Sequence, residues 1–213
     1  LNVMDVDASQ YASIAMEMWE NQSFLQVYHR GNDYLDKPPL LFWLSSLSMG
    51  LFGFNNLAYK LPSVLILVLG IYSTFRLGSR IWNREVVVKA ARLLSCTNAL
   101  FRVSNDVRTD GMLSGLVIFT VWQLYEFLQD KRWQAFLLAA LGTGLAMLSK
   151  GPVAIGIVAL GLGAHLILKK QWKEIFHVRW ILFLLIVLVI LSPMLSDLFI
   201  RILRFSEHIF SSD

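Results

Sequence analysis

Four short polar stretches in an otherwise apolar sequence carry the residue types that group transfer needs. Asp5-Val6-Asp7, Asp36-Lys37-Pro38-Pro39 and Asp106-Val107-Arg108-Thr109-Asp110 supply carboxylates, the last two with cations beside them, and Lys150 sits in the turn Ser149-Lys150-Gly151-Pro152. A carboxylate can deprotonate or orient an attacking hydroxyl, and a cation can neutralise a departing phosphate. Together they fit transfer of a group from a phospholipid-like donor at a membrane surface. Each stretch also has a plainer reading. Asp7, three residues before Gln10, has the spacing of a capping box, and Asp110 directly precedes an apolar run. Both carboxylates can therefore satisfy free N–H groups at helix starts, for about 1 kcal/mol each. Lys37 and Lys150 can snorkel along apolar surface. Arg108 can pair with Asp106 or Asp110 at little energetic gain.

The apolar segments between these stretches must position them. Six runs, 61–77, 88–105, 111–128, 134–149, 151–168 and 180–200, approach the ~20 residues that cross a ~30 Å hydrocarbon core. The 213 residues are 56% hydrophobic, with 14 Phe and 7 Trp, more than one soluble core of this length can hide. The predicted class is an all-α integral membrane protein with about six transmembrane helices over 58–200. An extracytoplasmic loop with juxtamembrane helices over 1–57 precedes them, and an outer tail over 201–213 follows. The segment 38–54 opens on two prolines and contains Ser45, Ser46 and Ser48, so it is expected to lie in the outer interface rather than cross. Ala8, Tyr11, Ala12, Ala15, Met18 and Trp19 recur at helical spacing, which predicts an amphipathic helix over 8–20. A turn is expected around Gly31-Asn32.

Charge sorts by side. Arg76, Arg80, Arg84, Lys89, Arg92, Lys131, Arg132, Lys169, Lys170, Lys173 and Arg179 fall in loops facing one way, against only Glu85, Glu126, Asp130 and Glu174. The positive-inside rule makes those loops cytoplasmic. The remaining acids, including Asp5, Asp7, Asp33, Asp36, Asp106, Asp110 and Asp197, fall on the other side. The net charge of +4 thus reflects membrane orientation and not nucleic-acid binding. Cys96 is the single cysteine and is expected to pack quietly within a span; the four histidines show no metal-ligand spacing.

The runs DASQYASIAMEM, YLDKPPLLFWLSSLSMGLFG, YKLPS, RTDGML and LSKGP, in this order, resemble the polytopic C-type glycosyltransferases that use polyprenyl-phosphate-linked sugars. That group includes lipid A aminoarabinose transferase and the protein O-mannosyltransferases, and the likeness is greatest to bacterial aminoarabinose-transferase-like members. The resemblance implies a polyprenyl-phosphate sugar donor, an envelope acceptor, and a bilayer home in the bacterial inner membrane with the active site on the extracytoplasmic face. It implies that Asp7 is the catalytic carboxylate of the first loop and that Lys37 contacts the donor phosphate. Asp110 is expected to line the same cavity, and Lys150 matches the lysine of the KGP turn. The reaction would be inverting: Asp7 acts as base or orients the acceptor, while Lys37, with Arg108 or Lys150, offsets charge on the leaving phosphate. No nucleotide is needed, and a divalent metal is compatible with the chemistry without being required.

Two departures stand out. The family's Glu after the catalytic Asp is Ala8 here, with Asp5 two residues ahead of Asp7, and the sequence reads as a fragment of a longer chain. The rival classes are a multi-pass transporter and a membrane scaffold subunit without covalent chemistry. Transporters place ionisable groups within spans and carry internal repeats; here the charges sit at span ends and no repeat is evident.

Overall fold

The structure, a computed structural model, describes residues 6–96 and 107–210, with side chains over 8–96 and 107–203. The described residues are helical apart from one small hairpin. Helix α1 is Val6–Glu20, and strands β1 (Tyr28–His29) and β2 (Asn32–Asp33) form the hairpin. Helices α2 (Leu40–Phe52), α3 (Asn56–Ile81), α4 (Arg84–Ser95), α5 (Thr109–Asp130) and α6 (Trp133–Lys150) follow. The chain then continues through α7 (Val153–Leu168), α8 (Trp172–Ile175) and α9 (Arg179–Phe210).

Three helical stretches, Asn56–Ile81, Thr109–Asp130 and Trp172–Leu203, are long and apolar enough to cross a bilayer. The middle one, α5, is the centre of the bundle, with 56% of its apolar window buried against 28% and 17% for the others. It packs on α3, α6 and α7, while α9 packs on α6. Close approach rests on small residues, as it does between membrane helices. A Cβ on Gly70 of α3 would lie 2.8 Å from the Gly115 Cα of α5, and one on Gly144 of α6 would lie 2.8 Å from Ile190 of α9.

Prolines inside two helices are matched by nearby serines. Pro62 has no N–H for the Ala58 carbonyl four residues back, and Ser48 Oγ of α2 donates to that carbonyl at 2.6 Å. Ser45 Oγ donates to the next carbonyl, of Tyr59, at 3.2 Å. In α9, Pro193 leaves the Val189 carbonyl without its helical donor, and Ser192 Oγ donates to it at 2.7 Å.

Helix α2 therefore turns its serines inward, with Ser45, Ser46 and Ser48 buried while Leu47, Leu51 and Phe52 face out. Its 13 residues reach about 20 Å, short of a bilayer crossing. Helix α1 packs on α2 and buries Ala8, Tyr11, Ala12, Ala15 and Met18 of the face expected for 8–20, with Ile14 buried beside them and Trp19 only partly buried.

The ion pairs separate into two groups. At one end Arg80 of α3 binds Glu126 (2.5 Å) and Asp130 (2.9 Å) of α5, with Trp122 Nε1 donating to Glu126 at 3.2 Å. Beside them Lys131 and Arg179 both meet Glu174. At the other end Lys37 meets Asp36, Lys150 meets Asp110, and Arg201 meets Asp33 and Asp197. Among the described residues every ion pair stays within one end, as charge sorting across an apolar slab requires.

Three details differ from the sequence reading, and one expected span is described only in part. The segment expected to span as 88–105 contains a helix, α4, that ends at Ser95; residues 97–106 lie outside those described. Cys96 is exposed at the cap of that helix and is not packed within a span. The hairpin turn is Arg30-Gly31, one residue earlier than expected, with φ of +54° and +75° that match the twist of a two-residue hairpin. The segment 201–213, expected to be a tail, continues α9 to Phe210.

Candidate active site

The acidic end gathers the starts of α1, α3 and α5 and the end of α6. Asn55 caps α3 by accepting from Ala58 N at 2.8 Å, which fixes where that helix begins. From its first turn Tyr59 Oη reaches across to donate to the Ala8 carbonyl of α1 at 3.0 Å. Ala8 is the neighbour of Asp7, so this bond holds the backbone that carries the proposed base. Asp7 lies within the first turn of α1, Val6–Glu20. Asp5 and Asp106 lie outside the described residues.

Glu17 on α1 accepts from the two turn amides of the hairpin, Arg30 N at 2.7 Å and Gly31 N at 2.9 Å. This ties the hairpin to α1. From the other side Arg201 of α9, only 9% exposed, reaches Asp33 of β2 at 2.6 Å. It also bonds Asp197 on its own helix at 2.9 and 3.0 Å. The outer loop is therefore latched to the bundle through Arg201, a role invisible in the sequence because Asp33 and Arg201 are far apart along the chain.

Lys37, just ahead of α2, is partly buried and lies 3.8 Å from the Asp36 carboxylate. Arg108 is exposed at the N-cap of α5, where its side chain makes no capping bond. Asp110, in the first turn of α5, does not cap either; it receives the ammonium of Lys150 from the last turn of α6. Both charges also suit the helix ends they occupy. Ser149 Oγ donates to the Thr109 carbonyl at 3.1 Å, a second clasp between the same two turns. The structure thus joins the RTD and SKGP motifs directly. Among the described residues no bond links Lys37 to that pair. A cavity of about 590 Å³ opens beside α1, lined by Ser9, Ser13, Glu17 and Glu20 together with Ala12, Met16 and Phe54. No cluster of three potential metal ligands occurs among the described residues.

Comparison with known proteins gives a consistent picture. Residues 36–196 match the family model described as dolichyl-phosphate-mannose-protein mannosyltransferase. Undecaprenyl phosphate-alpha-4-amino-4-deoxy-L-arabinose arabinosyl transferase 2 of Sodalis glossinidius is 25% identical over 175 residues, 80% of this chain and 32% of that protein. The corresponding transferase of Yersinia pestis (strain Pestoides F) is 24% identical over 174 residues, 79% of this chain and 31% of its own length. The chain thus spans about a third of the curated relatives it matches. The crystal structure of ArnT from Cupriavidus metallidurans in the apo state superposes with a TM-score of 0.85 at 20% identity, over 94% of this chain and 38% of that one. The same protein bound to undecaprenyl phosphate gives 0.78 at 21% identity, with the same coverage of both chains. With three quarters of its residues inside the family model and the multi-span helical fold shared, the chain belongs to the dolichyl-phosphate-mannose-protein mannosyltransferase family of C-type glycosyltransferases.

Proposed function

We propose that the chain is the donor-binding part of a membrane glycosyltransferase that moves a sugar from a polyprenyl-phosphate carrier to a lipid, glycan or protein of the cell envelope. The observation that carries this reading is the junction of Lys150 with Asp110 at the end of the bundle where α1 begins. It puts a cation and carboxylates of the family's motifs at one water interface. Membership of the family, relatives named as transferases from undecaprenyl phosphate carriers, and a structural neighbour crystallised with undecaprenyl phosphate all point to the same donor class.

The basic end is the cytoplasmic one by the positive-inside rule, so the reaction occurs at the extracytoplasmic face of a bacterial inner membrane. Lys131 and Lys169 follow α5 and α7, while Arg108 and Gly151 precede them. Five described helices, α3, α5, α6, α7 and α9, run between the two ends, and six transmembrane passages in all are proposed.

The acceptor oxygen attacks the anomeric carbon from the face opposite the phosphate, giving inversion. As the new C–O bond forms, the bond to the carrier phosphate breaks and its electron pair leaves on the phosphate oxygen. Asp7 takes the hydroxyl proton, or is the charge that orients the acceptor, with Asp5 two residues away as the second carboxylate. Lys37, Arg108 and Lys150 offset the charge that grows on the phosphate, and Asp110 holds Lys150 in place until the phosphate draws on it. Incubating membranes that contain the full-length gene product with a radiolabelled undecaprenyl-phosphate sugar tests the reading. Label should pass to an envelope acceptor; release or import of the intact donor without transfer would instead favour a transporter.

A further inference from the structure

Between α7 and α9 an apolar groove of about 220 Å³ runs from Ile155, near the start of α7, to Leu166 and Ile175 at the basic end, with Leu124 of α5 among its lining residues. The α7 side of its lining recurs every three or four residues from Ile155 to Leu166. The groove therefore follows the helix for about 16 Å, roughly half of a ~30 Å hydrocarbon core, which is the depth of one leaflet. Gly163 helps to keep it open: a Cβ there would meet nothing within 4 Å.

The mouth of the groove is basic. After α7 the chain folds back sharply, with Lys170 N donating to Ile167 O and Gln171 N to Leu166 O, both at 2.9 Å. It then enters α8, whose last residue, Ile175, lines the groove. Lys169, Lys170 and Lys173 on this turn are all exposed. The nearest carboxylate, Glu174, is already occupied by Lys131 and Arg179. Among the described residues these three lysines have no ion-pair partner. A leaflet-deep apolar channel ending at three uncompensated ammonium groups matches one acyl chain joined to one anionic headgroup.

We propose that this groove binds an anionic glycerophospholipid of the cytoplasmic leaflet, with an acyl chain along α7 and the phosphate at Lys169, Lys170 and Lys173. The inference is independent of the sugar-transfer reading and needs only the orientation of the chain in the membrane. Native mass spectrometry of the full-length protein, purified in mild detergent and titrated with phosphatidylglycerol or phosphatidylcholine of matched chains, provides the test. Phosphatidylglycerol should be retained roughly tenfold better. That advantage should vanish in K169Q/K170Q/K173Q, and the adduct itself should vanish in Gly163→Phe, which places a ring on a Cβ position that meets nothing within 4 Å. Circular dichroism and gel filtration of Gly163→Phe confirm the fold. Equal retention of the two lipids would overturn the proposal. So would an adduct that survives Gly163→Phe, which reports surface adsorption, or photocrosslinking from a probe at Leu162 to another helix of the same polypeptide, which reports a protein-filled groove.

Discussion

Lys150 and Asp110 form an exposed pair, and an exposed pair holds its partners by no more than about 1 kcal/mol. In the proposed reaction a carrier phosphate would compete with Asp110 for the ammonium at little cost, as a cation needed only when the leaving group departs should allow. Replacing Lys150 by Met is expected to lower turnover about 100-fold at saturating donor, with Lys150→Arg recovering part of the loss. Unchanged turnover of Lys150→Met in the transfer assay would reduce this lysine to a clasp between α5 and α6. The residue types of the site were legible in the sequence because each motif is local. Their pairing was not: the nearest described cation to Asp110 along the chain is Arg108, and Lys150 is 40 positions away. Antiparallel packing of α5 on α6 makes the choice. Glu17 likewise read as one outer charge among many, until the hairpin turned its two amides toward it.

At the scale of elements, the junction of α2 with α3 rests on a serine that replaces a missing amide. Ser48→Ala leaves the buried Ala58 carbonyl without a donor and is expected to cost about 1–3 kcal/mol. Pro62→Ala restores an N–H for the same carbonyl, so the double variant should regain most of that loss. Thermal unfolding of the four proteins in one detergent measures this coupling, and strictly additive effects would contradict it. The Arg201 latch makes a second prediction. Arg201→Ala leaves Asp33 and Asp197 without their shared cation and should speed tryptic cleavage at Arg30 several-fold. Cleavage at the wild-type rate would show that Glu17 alone secures the hairpin. Periodicity revealed α1 and the longer helices because their faces differ in polarity. It did not reveal that α2 points its serines inward, since Ser48 and Ser45 find their acceptors, the Ala58 carbonyl that Pro62 frees and the carbonyl of Tyr59, on another helix. The hairpin turn was displaced by one residue because positive φ at Arg30 is stabilised by Glu17 from outside the local sequence.

At the scale of the molecule, charge sorting is both the feature most legible in the sequence and the one that the ion pairs reproduce. Apolar length was a weaker guide. Three helical stretches are long and apolar enough to cross by themselves, while α6 approaches its neighbours closely through Gly142 and Gly144 and α7 packs on α5 and α6. With Cys96 replaced by Ser, a single cysteine at Asp36 should react in intact cells with a membrane-impermeant maleimide and one at Lys170 only after permeabilisation. The reverse pattern would invert the bundle and remove Asp7 from the extracytoplasmic face. Asp7, at the start of a helix clasped to α3 through Tyr59, is proposed to carry the chemistry. The most direct measurement is sugar transfer from a labelled polyprenyl-phosphate donor in membranes holding equal amounts of full-length wild type and Asp7→Asn. The wild type should transfer the sugar, and the variant should lose at least about 100-fold. Transfer by Asp7→Asn at the wild-type rate would contradict it.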